Sequence, residues 1–521
     1  MVILDARKHF FVVSVFLLFV FLLLALHFHS LNNGFFLDDQ NVIFGPDGVG
    51  AKSWEQLFTV GHSQFFRPVG HVLMKLSFHL FLYEPWGYRL VNILLLAGVG
   101  IAFYALLILL GASKRVSLLA ISLYLIHPFQ GNSIQYITMS HLLVGVLLAL
   151  VSMHCFIDSN LNIAKQRLYW VSFISFIGAI LSHETNLIVL IGILLWGAVY
   201  KRVNLVFIQR FVLLCVAAFV FIYIRGMATS FHHFFLSPLN FIMHHFDKWI
   251  SSWMDLLGWY IQHLIWPDKV LFLWSTPFIA QSALLKAALA VSSCAGVIYW
   301  LFCDRIQPKV RFLFSFFFFG LALSGWACFI YKDVQPFIEP HWFFFTSIGF
   351  YVLSAYLLFY VLEHSRILGA CLTVSVIVIL SFMTFNNNDR FLNEETYSRY
   401  WLSLNKGSFT PYSGLFEALV DKGNFRQACA LVLEGTTVLD IKPPELYPRL
   451  AYSFSMIGNK KIADIFLNEA FRLGMFSPDD LYYYALYSYE IGDIPAAKRF
   501  SQKYNLMSYK SPRILERPAL F

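Results

Sequence analysis

Charged side chains are scarce in this chain of 521 residues. Asp, Glu, Lys and Arg make up 13% of it, against about 25% in an ordinary soluble domain. Hydrophobic residues make up 58%, aromatic residues 18%, and mean hydropathy is +0.64. This composition excludes an ordinary soluble globular domain and indicates a polytopic membrane protein.

Three kinds of motif are also missing. Six of the seven cysteines lie outside the polar tail, mostly within apolar segments, so a disulfide framework is not predicted. No glycine-rich phosphate loop or nucleophile elbow occurs, so nucleotide hydrolysis is not indicated. The histidine pairs at 232–233 and 244–245 lack a metal-binding spacing such as His-Glu-x-x-His. No cofactor is therefore predicted, and a requirement for a divalent cation stays open.

Long apolar runs are what the chain does have. The first, from about Phe10 to Phe28, is long enough to cross a bilayer and is predicted to be retained rather than cleaved. Ten more follow, of which 116–127 and 187–200 are short: 90–110, 116–127, 141–157, 168–182, 187–200, 207–225, 280–303, 311–331, 342–362 and 367–385. The sequence therefore predicts an all-α, polytopic transmembrane bundle of about 11 spans.

The basic residues predict its orientation. Lys and Arg cluster at every second connection between apolar segments, at 7–8, 114–115, 165–167, 201–202, 305–311 and 366. This positive-inside pattern places the N-terminus in the cytoplasm and the C-terminus outside, in an inner or plasma membrane. It also accounts for much of the net charge of +8, so no nucleic-acid partner is predicted. The outer connections hold 14 of the 18 acidic residues before Leu404.

Two outer stretches have the pattern of helices lying along the membrane surface. His71 to Tyr83 has apolar residues near helical spacing, and 247–275 is rich in tryptophan. Both are predicted to be extracytoplasmic interfacial helices, although 247–275 could instead span the membrane together with a re-entrant segment.

The composition changes at about Leu404, which divides a membrane domain, 1–403, from a polar domain, 404–521. Three related segments follow in the polar part: Lys422 to Ala428, Ile457 to Ala463 and Ile491 to Ala497. Their glycines are 35 and 34 residues apart. This period, with glycine at a helix–helix turn, is typical of tetratricopeptide repeats. The sequence predicts a tetratricopeptide-like, extracytoplasmic α-solenoid that binds a peptide or serves as a structural cap.

Two adjacent carboxylates, Asp38 and Asp39, follow the first apolar segment directly. A charged group at a membrane surface must be solvated by water, paired with an opposite charge or part of a functional site. A solvated loop is the simpler interpretation of the pair. Its clustering with other motifs on the predicted outer face favours a functional role.

The order of these motifs resembles the GT-C superfamily of integral membrane glycosyltransferases, closest to its protein O-mannosyltransferase-like branch with C-terminal tetratricopeptide repeats. The resemblance covers essentially the whole chain and rests on the acidic pair and on five later elements: Phe66–Val69, Pro85–Asn92, His127–Pro128, Leu181–Glu184 and Ile338–Trp342. It implies sugar transfer from a polyprenyl-phosphate or diphosphate donor outside the cytoplasm, with inversion at the anomeric carbon. Membrane lipids and an acceptor protein or peptide are the implied partners, the latter held by the repeats.

The resemblance also implies residue roles. Asp38 would be the catalytic base and Asp39 would orient it, although the two could be exchanged. Arg67, in the Arg-Pro element, would bind the donor phosphate. The remaining candidates for donor-phosphate binding are His183, Glu184, Glu339 and His341. His183 stands where relatives often have a Lys before the Glu, and Glu339-Pro340-His341-Trp342 stands where many have Glu-Arg-Tyr, so a titratable group replaces a fixed cation in both motifs.

Other functions stay open. The glycosyltransferase could act on a lipid or a polysaccharide. The chain could be a non-enzymatic scaffold for assembly of an envelope complex. It could also transport a lipid-linked sugar, although transporters favour charges near the middle of their spans.

Overall fold

The computed structural model describes residues 2–44, 48–59, 66–228, 242–272, 274–275, 299–301, 303–327, 337–439, 446–473 and 478–507, together with 288 and 296. Most of the predicted span 280–303 and the His232–His233 pair lie outside these residues. The description below refers to this part of the chain.

Helices make up almost all of the described chain. Those of the membrane domain are α1 Val2–His27, α2 Asp39–Phe44, α3 Pro68–Phe81, α4 Pro85–Leu109, α5 Lys114–Ile126, α6 Pro128–Gln135, α7 Ser140–Leu161, α8 Gln166–Ile180, α9 Ile188–Val199, α10 Leu205–Ala228, α11 Phe246–Ile265, α12 Pro308–Ala327, α13 Ile348–His364, α14 Arg366–Asn387 and α15 Glu394–Leu404. Short 3₁₀ turns join several of them. One antiparallel pair of two-residue strands, β1 Trp274–Ser275 and β2 Phe337–Ile338, is the exception to the predicted all-α class.

Local sequence explains where several helices begin. Proline occupies the first turn of α3, α4 and α6, where its missing N–H leaves no helical hydrogen bond unmade. Ser113 caps α5 by accepting a hydrogen bond from the Val116 N–H. The helix before it, α4, gives way to a turn at Gly111, whose φ of 85° is a left-handed conformation that glycine tolerates.

Five helical segments in the described chain are long and apolar enough to cross a membrane: Phe10–Ser30, Pro85–Leu109, Ile137–Leu161, Leu205–Gly226 and Arg366–Phe391. The two spans predicted to be short, 116–127 and 187–200, correspond to α5 and α9, of 13 and 12 residues, and the predicted span 168–182 corresponds to α8, of 15 residues. At 1.5 Å per residue these are shorter than a hydrocarbon core of about 30 Å. A multi-pass membrane protein is supported, and the number of eleven spans stays a prediction.

The core is built around α7, the most buried of these candidate spans, with 72% of its most apolar window inside the protein. It packs against α3, α4, α8 and α9. The predicted interfacial segments are helical in α3, up to Phe81, and in α11, up to Ile265, whereas the described residues at the end of the stretch 247–275 are not helical and include β1. Their position relative to a membrane stays a prediction.

The polar domain consists of helical pairs: α16 Phe409–Asp421 with α17 Phe425–Val438, α18 Leu446–Met456 with α19 Lys460–Leu473, and α20 Pro478–Glu490 with α21 Ile494–Met507. Each pair turns at one of the repeated glycines, Gly423, Gly458 and Gly492, whose φ values are 73°, 84° and 85°. These left-handed turns explain why glycine recurs at this spacing. Assignment to the tetratricopeptide family stays a prediction.

One helix belongs to both parts of the chain. In α15, Tyr397 and Trp401 are buried in the core of the membrane domain, whereas Leu402 packs against the core of the polar domain. At its N-terminal end, Asn393 caps the helix by accepting from the Thr396 N–H.

Candidate active site

The loop that carries the acidic pair is fixed by contacts with one segment near α15. The Gly34 N–H donates to the carbonyl of Leu392 (2.9 Å), and the Leu37 N–H donates to the Glu394 carboxylate (2.7 Å). Leu37 has φ of 51°, in the left-handed region that residues other than glycine rarely adopt. Because Asp38 and Asp39 follow this turn directly, the Glu394 hydrogen bond helps to set the directions in which they point.

A buried arginine holds the same loop from inside. Arg89 lies in α4 with no exposed surface, and its guanidinium donates to four main-chain carbonyls: Leu31 (3.0 Å), Asn33, Gly34 (2.8 Å) and Gln135 (3.3 Å). Five rigid donors make a guanidinium suited to gathering several acceptors. Arg89 thereby ties the acidic loop to the end of α6.

The two acidic residues have different surroundings. Asp39 is fully buried, and its carboxylate accepts hydrogen bonds from the Thr138 N–H (3.0 Å) and the Ile137 N–H (3.3 Å). Burial raises the pKa of Asp39 to about 7, although these donors and the charge of Arg89 act in the opposite direction. Asp39 is therefore turned into the protein, where it anchors the loop.

Asp38 is exposed. Its Oδ2 accepts a hydrogen bond from the Tyr136 hydroxyl at 3.2 Å. Burial, and then the charge of Asp38, raise the pKa of Tyr136 well above its usual value, so the phenol stays protonated and stays a donor. Asp38 is thus the member of the pair that a second molecule can reach, in an orientation that Tyr136 helps to fix.

A second cluster is formed by one carboxylate between two arginines. Arg67 binds Glu184 with two hydrogen bonds, Nε to Oε2 (2.9 Å) and Nη2 to Oε1 (2.7 Å). Arg225 approaches the same carboxylate with Nη1 2.6 Å from Oε2 and Nη2 2.9 Å from Oε1. All three side chains are less than one-fifth exposed. Two guanidinium groups therefore converge on one carboxylate.

The predicted histidines lie beside this cluster. His183 is buried and caps the 3₁₀ turn Glu184–Leu187, with Nδ1 2.9 Å from the Thr185 hydroxyl and 3.3 Å from the Thr185 N–H. Its ring meets the ring of His341 edge to face at 5.9 Å. His341 Nε2 lies 3.0 Å from Glu339 Oε2. The 3₁₀ turn Pro340–Phe343 and the turn after α8 therefore bring these two sequence motifs together.

Burial keeps the Glu339–His341 pair uncharged near neutral pH. It raises the pKa of Glu339 to about 8 and lowers the pKa of His341 to about 3. Arg67 opposes the shift at Glu339, whereas the charges of Asp38 and Glu184 add to it. Groups from three sequence motifs therefore act on one carboxyl. Contacts join the predicted residues Arg67, Glu184, His183, His341 and Glu339. Asp38 contacts Tyr136 and acts on Glu339 through its charge, and Asp39 points into the protein.

Sequence reasoning missed four residues at this site. Arg225 ends an apolar helix, and an arginine in that position is itself a signal of function or pairing. Tyr136 had no signal in the sequence. His71 and His141 form a ring contact at 5.1 Å, and burial, with Lys52 and Arg67, lowers the pKa of His71 to about 3.

Within the residues that the structure describes, no group of three or more His, Cys, Asp or Glu side chains is placed to hold a metal ion. The chemistry that can be argued from the described site is that of a carboxylate, hydrogen-bond donors and guanidinium groups.

No protein-family model and no curated protein matches the chain. Among solved structures, it is similar to the archaeal oligosaccharyltransferase AglB from Archaeoglobus fulgidus, in complex with an inhibitory peptide and a dolichol-phosphate. The sequences are 13% identical and the TM-score is 0.41. The match covers 74% of this chain and 56% of that one. The chain thus spans little more than half of that protein's length, and a likeness this distant assigns no activity.

Proposed function

We propose that this chain is a GT-C-type membrane glycosyltransferase of the protein O-mannosyltransferase-like branch. It would move a sugar from a polyprenyl-phosphate or diphosphate lipid to an acceptor hydroxyl, most simply on a protein. One observation carries the proposal. An exposed carboxylate, Asp38, is held by Tyr136 and acts through its charge on the same Glu339 carboxyl as Arg67, which pairs with Glu184 beside Arg225.

In the proposed reaction Asp38 is the base. The acceptor oxygen attacks the anomeric carbon, Asp38 takes the hydroxyl proton, and the bond from that carbon to the phosphate oxygen breaks. The phosphate leaves with the bonding electrons, and the sugar is inverted. A carboxylate can take this proton because the hydroxyl becomes acidic only as the new bond forms. Asp39 would act by positioning, since it anchors the loop through two main-chain N–H groups.

The leaving phosphate needs stabilisation at the place where its charge develops. Arg67 and Arg225 would supply it, because their two guanidinium groups converge at Glu184 and guanidinium is suited to gripping phosphate. The neutral state of Glu339 supports this role, since an ionised carboxylate there would repel the phosphate. A neutral carboxyl can also donate a hydrogen bond. His183 and His341 would take part as neutral hydrogen-bonding groups.

The proposal places the site and the polar domain on the outer face of an inner or plasma membrane, with the N-terminus in the cytoplasm. The positive-inside pattern supports this orientation. The polar domain would be a tetratricopeptide-like solenoid that holds the acceptor. The helical pairs and their glycine turns support that assignment.

The direct experiment compares glycosylation of envelope proteins, by mass spectrometry, in cells with and without this chain. Purified protein is then supplied with a polyprenyl-phosphate sugar and a peptide from the modified protein. Transfer in both settings supports the proposal. Movement of the lipid-linked sugar across vesicle membranes without transfer would show a transporter, and a change in envelope complexes without either would show a scaffold.

The topology gives a separate prediction. A cysteine at Asn459, in the turn between α18 and α19, should react with a membrane-impermeant thiol reagent from outside the inner membrane. A cysteine at Arg115, in a predicted cytoplasmic connection, is the control and should react only after that membrane is permeabilised. The opposite pattern would place the polar domain in the cytoplasm and contradict the outer-face site.

Removal of the polar domain should weaken acceptor recognition more than donor binding, because the proposed chemical groups all precede α15. The cut belongs after Leu404, so that α15 keeps its hydrogen bond to Leu37. Monodispersity in detergent controls for folding, since Leu402 loses its packing partners. We expect donor binding to persist while transfer to the native acceptor falls. Unchanged transfer by a monodisperse truncation would contradict a role in acceptor selection.

A further inference from the structure

A crevice lies at the C-terminal end of α14 and shares no lining residue with the proposed active site. It is lined by Pro267, Asp268, Phe382, Met383, Asn386 and Arg390. Three of these residues belong to the last turns of α14, Arg390 follows that helix, and the other two come from the turn after α11. The crevice therefore sits where a membrane-spanning helix gives way to polar chain.

An exposed apolar surface leads along α14 to this crevice. Val374, Val378 and Phe382 are 59%, 58% and 65% exposed and recur at four-residue spacing, which places them on one face of the helix. Only 17% of the most apolar window of this segment is buried, the lowest value among the candidate spans in the described chain. Such a face suits the acyl chains of lipid, and it ends at Phe382 inside the crevice.

The polar end of the crevice carries one charge of each sign. Arg390 uses Nη1 to donate to the Asp268 carbonyl (2.8 Å), to Asn387 Oδ1 (3.0 Å) and to the Tyr400 hydroxyl (2.6 Å). Its guanidinium also lies over the Tyr400 ring, 4.3 Å from the centroid. The arginine is thereby held in place through one nitrogen, and it meets Asp268 at the main chain rather than at the carboxylate.

The carboxylate of Asp268 is 40% exposed, and His263 Nε2 lies 3.9 Å from it. Burial lowers the pKa of His263, so this imidazole is neutral near pH 7 and does not balance the carboxylate. The crevice therefore offers a fixed cation, Arg390, and an accessible anion, Asp268, beside the exposed apolar surface of α14.

We propose that this crevice binds the head group of a zwitterionic phospholipid with a primary ammonium, as in phosphatidylethanolamine. The phosphate would contact Arg390, the ammonium would contact Asp268, and an acyl chain would follow Phe382 and Val378 along α14. Charge complementarity selects this occupant. An anionic phospholipid of the same chain length, such as phosphatidylglycerol, would satisfy Arg390 but leave Asp268 without a cation. The proposal goes beyond the glycosyltransferase function and does not depend on it.

The test is native mass spectrometry of the full chain, released from detergent with equal amounts of phosphatidylethanolamine and phosphatidylglycerol of identical acyl chains. An interfacial charge is worth about 1 kcal/mol, so we expect roughly fivefold greater retention of phosphatidylethanolamine. Asp268→Asn should remove this preference. Arg390→Gln should reduce retention of both lipids. The controls are Asp389→Asn, which removes a carboxylate next to Arg390 that does not line the crevice, and Arg399→Gln on the exposed face of α15.

Asp268→Asn decides the proposal even if Arg390→Gln impairs folding, because Asp268 lies on the surface. Equal retention of the two lipids by the unaltered chain would overturn it, as would an equal loss of preference in Asp389→Asn. Glycerophosphoethanolamine and inorganic phosphate separate a lipid site from a site for soluble anions. We expect neither to compete at concentrations at which the lipid binds, because they lack the acyl chain. Displacement of the lipid by phosphate alone would overturn the assignment to a phospholipid.

Discussion

Asp38→Asn should abolish sugar transfer while the protein still folds and inserts into membranes. Asparagine keeps the shape of the side chain and can still accept the hydrogen bond from the Tyr136 hydroxyl. It cannot take a proton from the acceptor. Loss of a positioned base lowers rates about 10²- to 10⁴-fold. The measurement is single-turnover transfer from a polyprenyl-phosphate sugar to a peptide, with monodispersity in detergent as the check on folding.

Asp39→Asn is the matched variant, because it makes the same chemical change at the neighbouring position. Its amide can accept from the Ile137 or Thr138 N–H through one oxygen, but its NH₂ group would face the other donor. We expect a smaller loss of transfer together with lower thermal stability. Near-normal turnover by Asp38→Asn would eliminate Asp38 as the base. An inactive but stable Asp39→Asn, combined with active Asp38→Asn, would exchange the two roles.

Glu184→Ala should be the most destabilising single change among the predicted site residues. It removes the carboxylate that both Arg67 and Arg225 contact, and the side chains of these arginines are 16% and 6% exposed. Removal of one partner from a buried ion pair costs about 3–5 kcal/mol, because the remaining charge is left unsolvated. The measurement is the midpoint of thermal unfolding in detergent.

Glu395→Ala is a closely matched control. Glu395 is 19% exposed, much like Glu184 at 18%, and it also pairs with two cations. Those cations, Arg399 and Lys422, are 51% and 58% exposed and can return to water. We expect a cost of about 0–1 kcal/mol. Equal destabilisation by the two variants would show that burial of the arginines does not determine the effect. Partial recovery of thermal stability in the double variant Glu184→Ala/Arg225→Met would show that burial of the arginine charge does determine the effect.

The sequence was informative where charge stands out against apolar chain. The position of Asp38 and Asp39 directly after an apolar segment singles out this pair, whereas Arg67 and Glu184 are indicated by the resemblance to the GT-C superfamily. Arg225 carries a charge signal of the same kind as the acidic pair, but the sequence indicates only the end of a span there and does not show that Glu184 is its partner. Tyr136 was not predictable, since aromatic residues are common throughout the chain and only the fold brings this hydroxyl to Asp38. The opposite orientations of Asp38 and Asp39 also depend on tertiary contacts, chiefly the Leu37 turn and the main chain at 137–138.

Hydropathy was a better guide to helices than to spans. Each predicted segment from 90–110 to 207–225 contains a helix, yet α5, α8 and α9 are short. An apolar run indicates that a helix is shielded from water. A helix buried among other helices has the same composition as one that faces lipid. Helix lengths could be judged only once the turns at Gly111 and His127 were located.

The position of α15 limits how this chain can be divided into separate domains. Tyr397 and Trp401 pack in one core, Leu402 packs in the other, and Glu394 hydrogen-bonds the residue before Asp38. Gly414 of α16 lies so close that a β-carbon there would fall 2.1 Å from Glu394 Oε1. The two domains are therefore not interchangeable modules. A chimera that takes its repeats from a relative would have to take residues 394–414 as a unit, together with a matching acidic loop. A mismatch in these residues would reach Asp38 through the single hydrogen bond between Glu394 and Leu37.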